Sequence, residues 1–296
     1  MNLPKLNNCP ARAKLNLFLH IVGRRADGYH LLQSVFQLID HGDLLHFQLR
    51  GDHVLRRRTE IPGVPEEQDL IMRAARLLQA AVLARTGVLP PGVDIAIDKR
   101  LPMGGGLGGG SSDAATTLMA LNHLWQAGLT REQLMALGLP LGADIPFFIF
   151  GEAAFVEGVG EAMREVAAPQ CWYVVIEPGV AVPTASIFSA IDLTRDTKPV
   201  KITDFSSHLE HQNGLGWFGK NDLQQVASRL FPPVAEAVEW LASYGEARMT
   251  GSGACVFCAF SDEEQADAVL RKVPAIWTAW KAKALSRHPL LAMLER

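Results

Sequence analysis

The stretch 102–112, PMGGGLGGGSS, restricts what this chain can become more than any other. Six of its residues are glycine: Gly104, Gly105, Gly106, Gly108, Gly109 and Gly110. Glycine loses more backbone freedom on folding than any other residue, so a cluster this dense needs a compensating use. Close approach is one: bare N–H groups can crowd around a large anion. Ser111, Ser112, Asp113 and Ala114 then read as a first helical turn, continued by Leu118, Met119, Leu121, Asn122 and Trp125 at helical spacing. A glycine loop feeding a helix N-terminus aims unpaired donors and a positive dipole end at one point, which suits a polyphosphate.

Other glycine loops fit less well. A P-loop needs Gly-Lys-Ser/Thr at the helix start, and no lysine stands there. Gly104-x-Gly106-x-x-Gly109 spells the dinucleotide fingerprint, but an acid should close a second strand about 20 residues on. Here the helix continues and then gives way to Gly128-Leu129-Thr130. A flexible linker would have polar, structureless flanks. This loop lies between an alternating strand at 93–97 and a strong helix.

With 48% apolar and 20% charged residues over 296 positions, the chain has ample core for one large domain or two ordinary ones. A net charge of −3 argues against a nucleic-acid surface. No apolar run reaches the ~18 residues that span a bilayer. The opening MNLPKLNNCPARAK lacks the apolar core of a signal peptide, so no membrane partner and a cytoplasmic location are expected. Cys255-x-x-Cys258 lies in an apolar strand-like run without a second pair, so core thiols are expected rather than a metal site. His208-x-x-His211 and Arg56-Arg57-Arg58 read as solvated polar segments, the former in a polar loop spanning 194–216.

Near the start, 13–19 reads as a strand with Lys14 and Asn16 on one face and Leu15 and Leu17 on the other. That is either the wet side of an edge strand or a lysine reaching a phosphate or an acid. Asp27-Gly28 marks a turn, with Tyr29 and His30 directly after it, and 31–49 reads as a strand, a turn at His41-Gly42-Asp43 and a second strand. An amphipathic helix spans 70–83, and an alternating strand at 93–98 delivers Lys99-Arg100 to the loop. Thr130 and Gln133 spell a capping box. Asp144 is the one ionisable group in the apolar run 141–150, so it is paired, capping or kept for chemistry. In the second half, strands are expected at 171–176, 254–260 and 277–285. Helices are expected at 221–230, 234–244 and after caps at Thr184 and Ser261. Irregular alternation with hairpin-ordered strands gives an α+β class.

Three pieces resemble the motifs of the GHMP kinases: 102–112, Ala13-Lys14-Leu15-Asn16, and Arg248-Met-Thr-Gly-Ser-Gly253. With Asp27-Gly-Tyr-His30, Lys99-Arg-Leu-Pro-Met103, Leu141-Gly-Ala-Asp-Ile-Pro146 and Pro183-Thr184, the chain is similar to one branch. That branch phosphorylates a cytidine-diphosphate-linked methylerythritol. The resemblance implies a two-domain fold, divided at 1–153 and 154–296. Each domain would be a mostly antiparallel sheet with helices, and the active site would lie in the cleft between them. It implies ATP and Mg²⁺, a small-molecule substrate, and a monomer or weak homodimer.

The resemblance also implies roles. Asp144 would be the base for a crowded alcohol, and Lys14 beside it would orient it and offset charge. The nucleotide would be held by Pro102, Met103, Leu107, the six glycines and Ser111 or Ser112, with Lys99 near adenine. Tyr29 and Phe188 would sandwich cytosine, His30 would read its edge, and Asn16, Thr184 and Gly253 would touch the rest of the substrate. No protein ligand for the metal is assigned. Arg12 stands where the family usually has proline. Asp69 stands where it more often has asparagine, which makes Asp69 a weaker nucleotide contact. Relatives acting on homoserine or mevalonate derivatives, or a non-catalytic binding protein, are the alternatives. The Tyr29, His30 and Phe188 set argues against the first and the Lys14 and Asp144 pair against the second.

Overall fold

The computed structural model describes residues 3–211 and 218–295. The order is β1 (Lys5–Arg24), β2 (His30–Leu49), β3 (Leu55–Arg57), α1 (Leu70–Thr86), β4 (Val93–Asp98), α2 (Gly109–Leu124), α3 (Arg131–Gly138) and α4 (Ile145–Phe150). Then come β5 (Ala154–Gly158), β6 (Ala162–Glu165), β7 (Trp172–Glu177), α5 (Thr184–Phe188), α6 (Ile202–His211), α7 (Gln224–Leu230) and α8 (Pro232–Ala242). Last are β8 (Arg248–Met249), β9 (Val256–Phe260), α9 (Glu263–Leu270), β10 (Thr278–Leu285) and α10 (Pro289–Leu294). The class is α+β, as expected.

Strand β2 is the hub. It pairs antiparallel with β1, β4, β5 and β10. Through β10 the sheet continues to β7, β9 and β8, while β3 runs parallel to β4. The β10 connection sets Ala284 opposite Ile39, which joins the two halves of the chain. Strands β5 and β6, just past residue 153, also lie on the β2 side of this sheet.

The core falls in three clusters. One gathers Leu38, Phe47, Ile95, Leu118 and Phe147 under α1, α2 and α4. A second gathers Val174, Ile176, Ala237, Leu241 and Val256. The third, with Leu15, Phe18, Ile39, Tyr173 and Phe257, draws on both halves. Each large side chain buried there stabilises by roughly 2 kcal/mol relative to exposure, so the third cluster resists separation of the halves.

Several boundaries differ from expectation. Strand β1 runs well beyond 13–19 and is buried on both faces, with Lys14 4% and Asn16 1% exposed, so it is no wet edge. Helix α2 begins at Gly109, two residues before Ser111. Thr184 is the first residue of α5 rather than its cap: Pro183 occupies the cap, and the Thr184 hydroxyl instead pairs with Ser252. Asp262, not Ser261, caps α9 by accepting from Gln265 N. The expected polar loop holds α6, whose His208 ring meets Phe218 at 5.6 Å; 212–216 and the His211 side chain lie outside the described residues. Helix α10 had no signal strong enough to mark it. The Thr130–Gln133 capping box is present as read.

Candidate functional site

The glycine loop presents the expected donors. Gly108, at φ 72°, caps α2 without a side-chain bond. The first backbone N–H of the helix to find a carbonyl is Ser112, on Gly108 at 2.9 Å. The amides of Gly109, Gly110 and Ser111 precede it at the helix mouth, where the partial positive charge gathers. Two positions require glycine. A Cβ on Gly108 would fall 2.7 Å from the Phe148 ring, and one on Gly106 (φ 75°) would fall 2.1 Å from the Thr250 carbonyl. The loop is therefore seated tightly on both neighbours.

Backbone bonds explain that seating. Lys14 N donates to Leu107 O at 3.0 Å, and Cys255 N donates to Gly105 O at 3.1 Å. Strand β1 and the second glycine turn, 249–254, thus clamp the loop from two sides. Asn221 secures that turn by donating to the carbonyls of Met249 and Gly251 at 2.7 and 2.9 Å. Arg248 anchors its other end to the carbonyls of Leu17, Phe218 and Gly219. Cys255 and Cys258 are free thiols in the core, and burial pushes Cys258 up to about 12, as core residues would behave.

Three cavities meet along the cleft. The first, about 410 Å³, is walled by the loop, Pro102, Met103, Leu107, Ser111, Lys99 and Asp69. Ser112 is not part of that wall: it is fully buried with an unpartnered Oγ. Asp69 caps α1 through Ile71 N at 2.9 Å and pairs with Arg57 at 3.1 Å, so its carboxylate serves the fold as well as the cavity wall. Arg57 is accordingly half of a buried ion pair and not a solvated side chain.

Lys99 has two acidic partners. Its Nζ lies 2.5 Å from Asp43 and 2.9 Å from Asp113. Asp43 is fully buried and also accepts from the amides of Arg100 and Leu101 at 2.6 and 2.8 Å. One ammonium between two buried carboxyls leaves the second acid short of compensation. Burial pushes Asp113 up to about 8 despite Lys99. Its Oδ1 lacks a partner, as suits a neutral acid better than an anion.

The second cavity, about 300 Å³, shares Gly104, Gly106 and Gly108 with the first and adds Lys14, Asn16, Asp144, Thr184, Phe188 and Gly253. Lys14 Nζ lies 3.5 Å from Asp144, donates to Asn16 Oδ1 at 2.6 Å and sits 4.5 Å above the Phe36 ring. Asn16 passes the order inward, donating to Ser34 at 2.9 Å. Its amide donates to Thr250 at 3.0 Å. Asp144 stands at the mouth of α4 without capping it, and its side chain remains 32% exposed, open to the cavity. The capping alternative is therefore not used.

The third cavity, about 720 Å³, shares Thr184 and Phe188 with the second and adds Tyr29 and His30. The His30 and Phe188 rings lie 4.9 Å apart, and Tyr29 is 66% exposed. Burial, then Arg195 and Arg24, lowers the His30 pKa.

Comparison with known proteins shows the family. The GHMP kinases N terminal domain family matches residues 69–152, and the GHMP kinases C terminal family matches 203–279. A Janthinobacterium protein named 4-diphosphocytidyl-2-C-methyl-D-erythritol kinase is 67% identical, covering 96% of this chain and 96% of its own. The chain belongs to this family of GHMP kinases. A solved 4-(cytidine 5'-diphospho)-2C-methyl-D-erythritol kinase superposes with a TM-score of 0.80 at 33% identity, over 95% of this chain and 99% of that one. A homoserine kinase from Cytophaga hutchinsonii shares the fold, with a TM-score of 0.70 at 15% identity over 96% and 95% of the two chains.

Several residues of the site gave no warning in the sequence. Asp43 belongs to the turn signal 41–43, which β2 instead runs through unbroken, Asp113 reads as one more polar residue of a first helical turn, and Thr250 belongs to a motif notable for its glycines. Arg195 lay in a stretch read as a polar loop. Each gains meaning from a partner distant in the chain, which local pattern does not reveal.

Proposed function

We infer that this chain transfers the γ-phosphoryl group of ATP to the tertiary 2-hydroxyl of 4-diphosphocytidyl-2-C-methyl-D-erythritol. One observation carries the reading: the glycine cradle, the Lys14–Asp144 pair and the His30–Phe188 pocket lie along one continuous trough. Phosphoryl transfer needs positioning and charge stabilisation above all. The cradle amides hold the β- and γ-phosphates. Asp144 takes the proton of the attacking hydroxyl, and Lys14 orients it and offsets charge gathering on the reacting oxygens. Asn16, Thr184 and Gly253 line the methylerythritol and diphosphate segment, and Tyr29, His30 and Phe188 hold the base.

The described residues contain no cluster of three His, Cys, Asp or Glu side chains suited to a metal. Mg²⁺ keeps most of its waters and binds mainly through substrate phosphates, so it would arrive with ATP. The Ser111 hydroxyl at the loop is the protein group suited to hold it there, and the ion would offset phosphate charge. No helix among the described residues is long and apolar enough to cross a membrane. The reading places the reaction in the cytoplasm, in a monomer or weak homodimer that needs no nucleic acid.

Homoserine and mevalonate derivatives carry no nucleobase, so they leave the third cavity without a purpose. Purified protein given labelled ATP tests the reading. Transfer to the cytidyl substrate, with none to homoserine or mevalonate, is expected. Transfer to either of those and none to the cytidyl compound would overturn it.

A further inference from the structure

Arg195 belongs to no motif, yet it ties the two walls of the third cavity together. Its Nε donates to His30 Nε2 at 3.2 Å. Its other nitrogens donate to the carbonyls of Leu193, Phe188 and Ala190 at 3.0, 3.1 and 2.7 Å. His30 enters from the first residue of β2, while Phe188 closes α5, far along the chain. One guanidinium therefore fixes the spacing between the ring that stacks and the ring beside it.

The same contact fixes a proton. Guanidinium has five donors and no acceptor. The His30 nitrogen facing it must therefore offer a lone pair, because an N–H there would meet another N–H. In a neutral imidazole the hydrogen then resides on Nδ1. No described residue pairs with Nδ1, and His30 lines the cavity. A neutral imidazole can carry its proton on either nitrogen; the arginine commits it to Nδ1. The lowered His30 pKa, from burial and the neighbouring Arg195 and Arg24, agrees with a neutral ring.

We propose that Arg195 is a positioning residue for base selection: by holding His30 as the Nδ1–H tautomer it presents a single donor to the pocket. Such a donor suits a ring nitrogen that accepts, as cytosine N3 does, and opposes one that donates, as uracil N3–H does. A buried donor facing a donor is left unpaired, and that mismatch is the strongest means a pocket has of rejecting an analogue. The inference rests on the cytidyl reading of this cavity but makes a claim about His30 that is measurable without substrate.

The test has two arms. Nitrogen-15 spectra of the ligand-free, histidine-labelled protein, assigned with His30→Gln, report which ring nitrogen carries the proton. A protonated Nδ1 and bare Nε2 are expected in the wild type, with that commitment lost in Arg195→Ala; an Nε2–H ring in the wild type would overturn the proposal. In the second arm, kinetics with the cytidyl substrate and its uridyl analogue are compared in wild type, Arg195→Ala, His30→Ala and the double variant. Arg195→Ala should raise KM for the cytidyl substrate about tenfold, the worth of one good hydrogen bond, with kcat little changed. It should also shrink the cytidyl preference, and the double variant should show no further loss beyond His30→Ala. Additive losses, or an unchanged preference in Arg195→Ala, would overturn it. Failure of the wild type to use the cytidyl substrate at all would instead remove the functional reading, leaving the tautomer result to stand or fall by itself. ATP KM should be unchanged in Arg195→Ala, which separates lost base selection from general unfolding.

Discussion

Two lysines flank the glycine loop in opposite surroundings. Lys99 lies between two carboxyl groups that are almost wholly buried. Lys14, itself buried, faces one carboxylate that is 32% exposed toward a cavity. An ammonium enclosed by buried acids is a structural tie, since removing it strands charge in the interior. An ammonium whose partner remains accessible leaves that partner able to meet a substrate. The residue types are the same, and the exposure of the acid separates the two settings.

Variants that remove each lysine should break or sharpen that contrast. The largest expected effect is on rate: Lys14→Met should lower kcat by on the order of 10³-fold, within the range for a lost acid–base or charge-stabilising group. Its melting temperature should change much less than that of Lys99→Met. A Lys14→Met enzyme with near-normal kcat but a collapsed melting temperature would reverse the assignment. Lys99→Met should instead destabilise the fold by about 3 kcal/mol in denaturant titration, the scale for breaking a buried pair. If its stability matched wild type, the tie between β4 and α2 would not exist.

Gly108→Ala probes the cradle between the two lysines. Its positive φ and the Phe148 ring predict a cost of about 1–3 kcal/mol and a raised ATP KM, with the KM of the acceptor substrate little altered. An unaltered ATP KM would detach this backbone from the nucleotide. The last comparison is of pH dependence. Asp113 holds its proton to about 8 in the fold, whereas an unfolded aspartate titrates near 4. The folded state binds more protons across that window, so this group's contribution to stability falls as pH rises from about 4 to about 8. Asp113→Asn should flatten that part of the profile of melting temperature against pH. An identical slope in both proteins would show that Asp113 does not hold the proton.

The glycine loop was legible in the sequence because glycine density has so few physical uses. Alternation exposed β4, and helical spacing with caps exposed α1 and α3. Lys14 and Asp144 were suspicious as charges in apolar company, and the structure places them 3.5 Å apart. What stayed hidden depends on long-range pairing. Nothing near Asp43 says that Lys99 will meet it, and nothing near Arg195 points to His30, 165 positions away. Caps failed where two candidates stood side by side, as Ser261 and Asp262 did: only the fold decides which one adopts the extended cap geometry.

The most direct measurement concerns the exposed acid. Asp144→Asn keeps the shape at the mouth of α4 and removes the proton acceptor. Its ATP affinity, measured by calorimetry, should stay within about threefold of wild type, while kcat for the cytidyl substrate falls by on the order of 10³-fold. Turnover within tenfold of wild type, at normal ATP affinity, would contradict a lysine-supported carboxylate as the base.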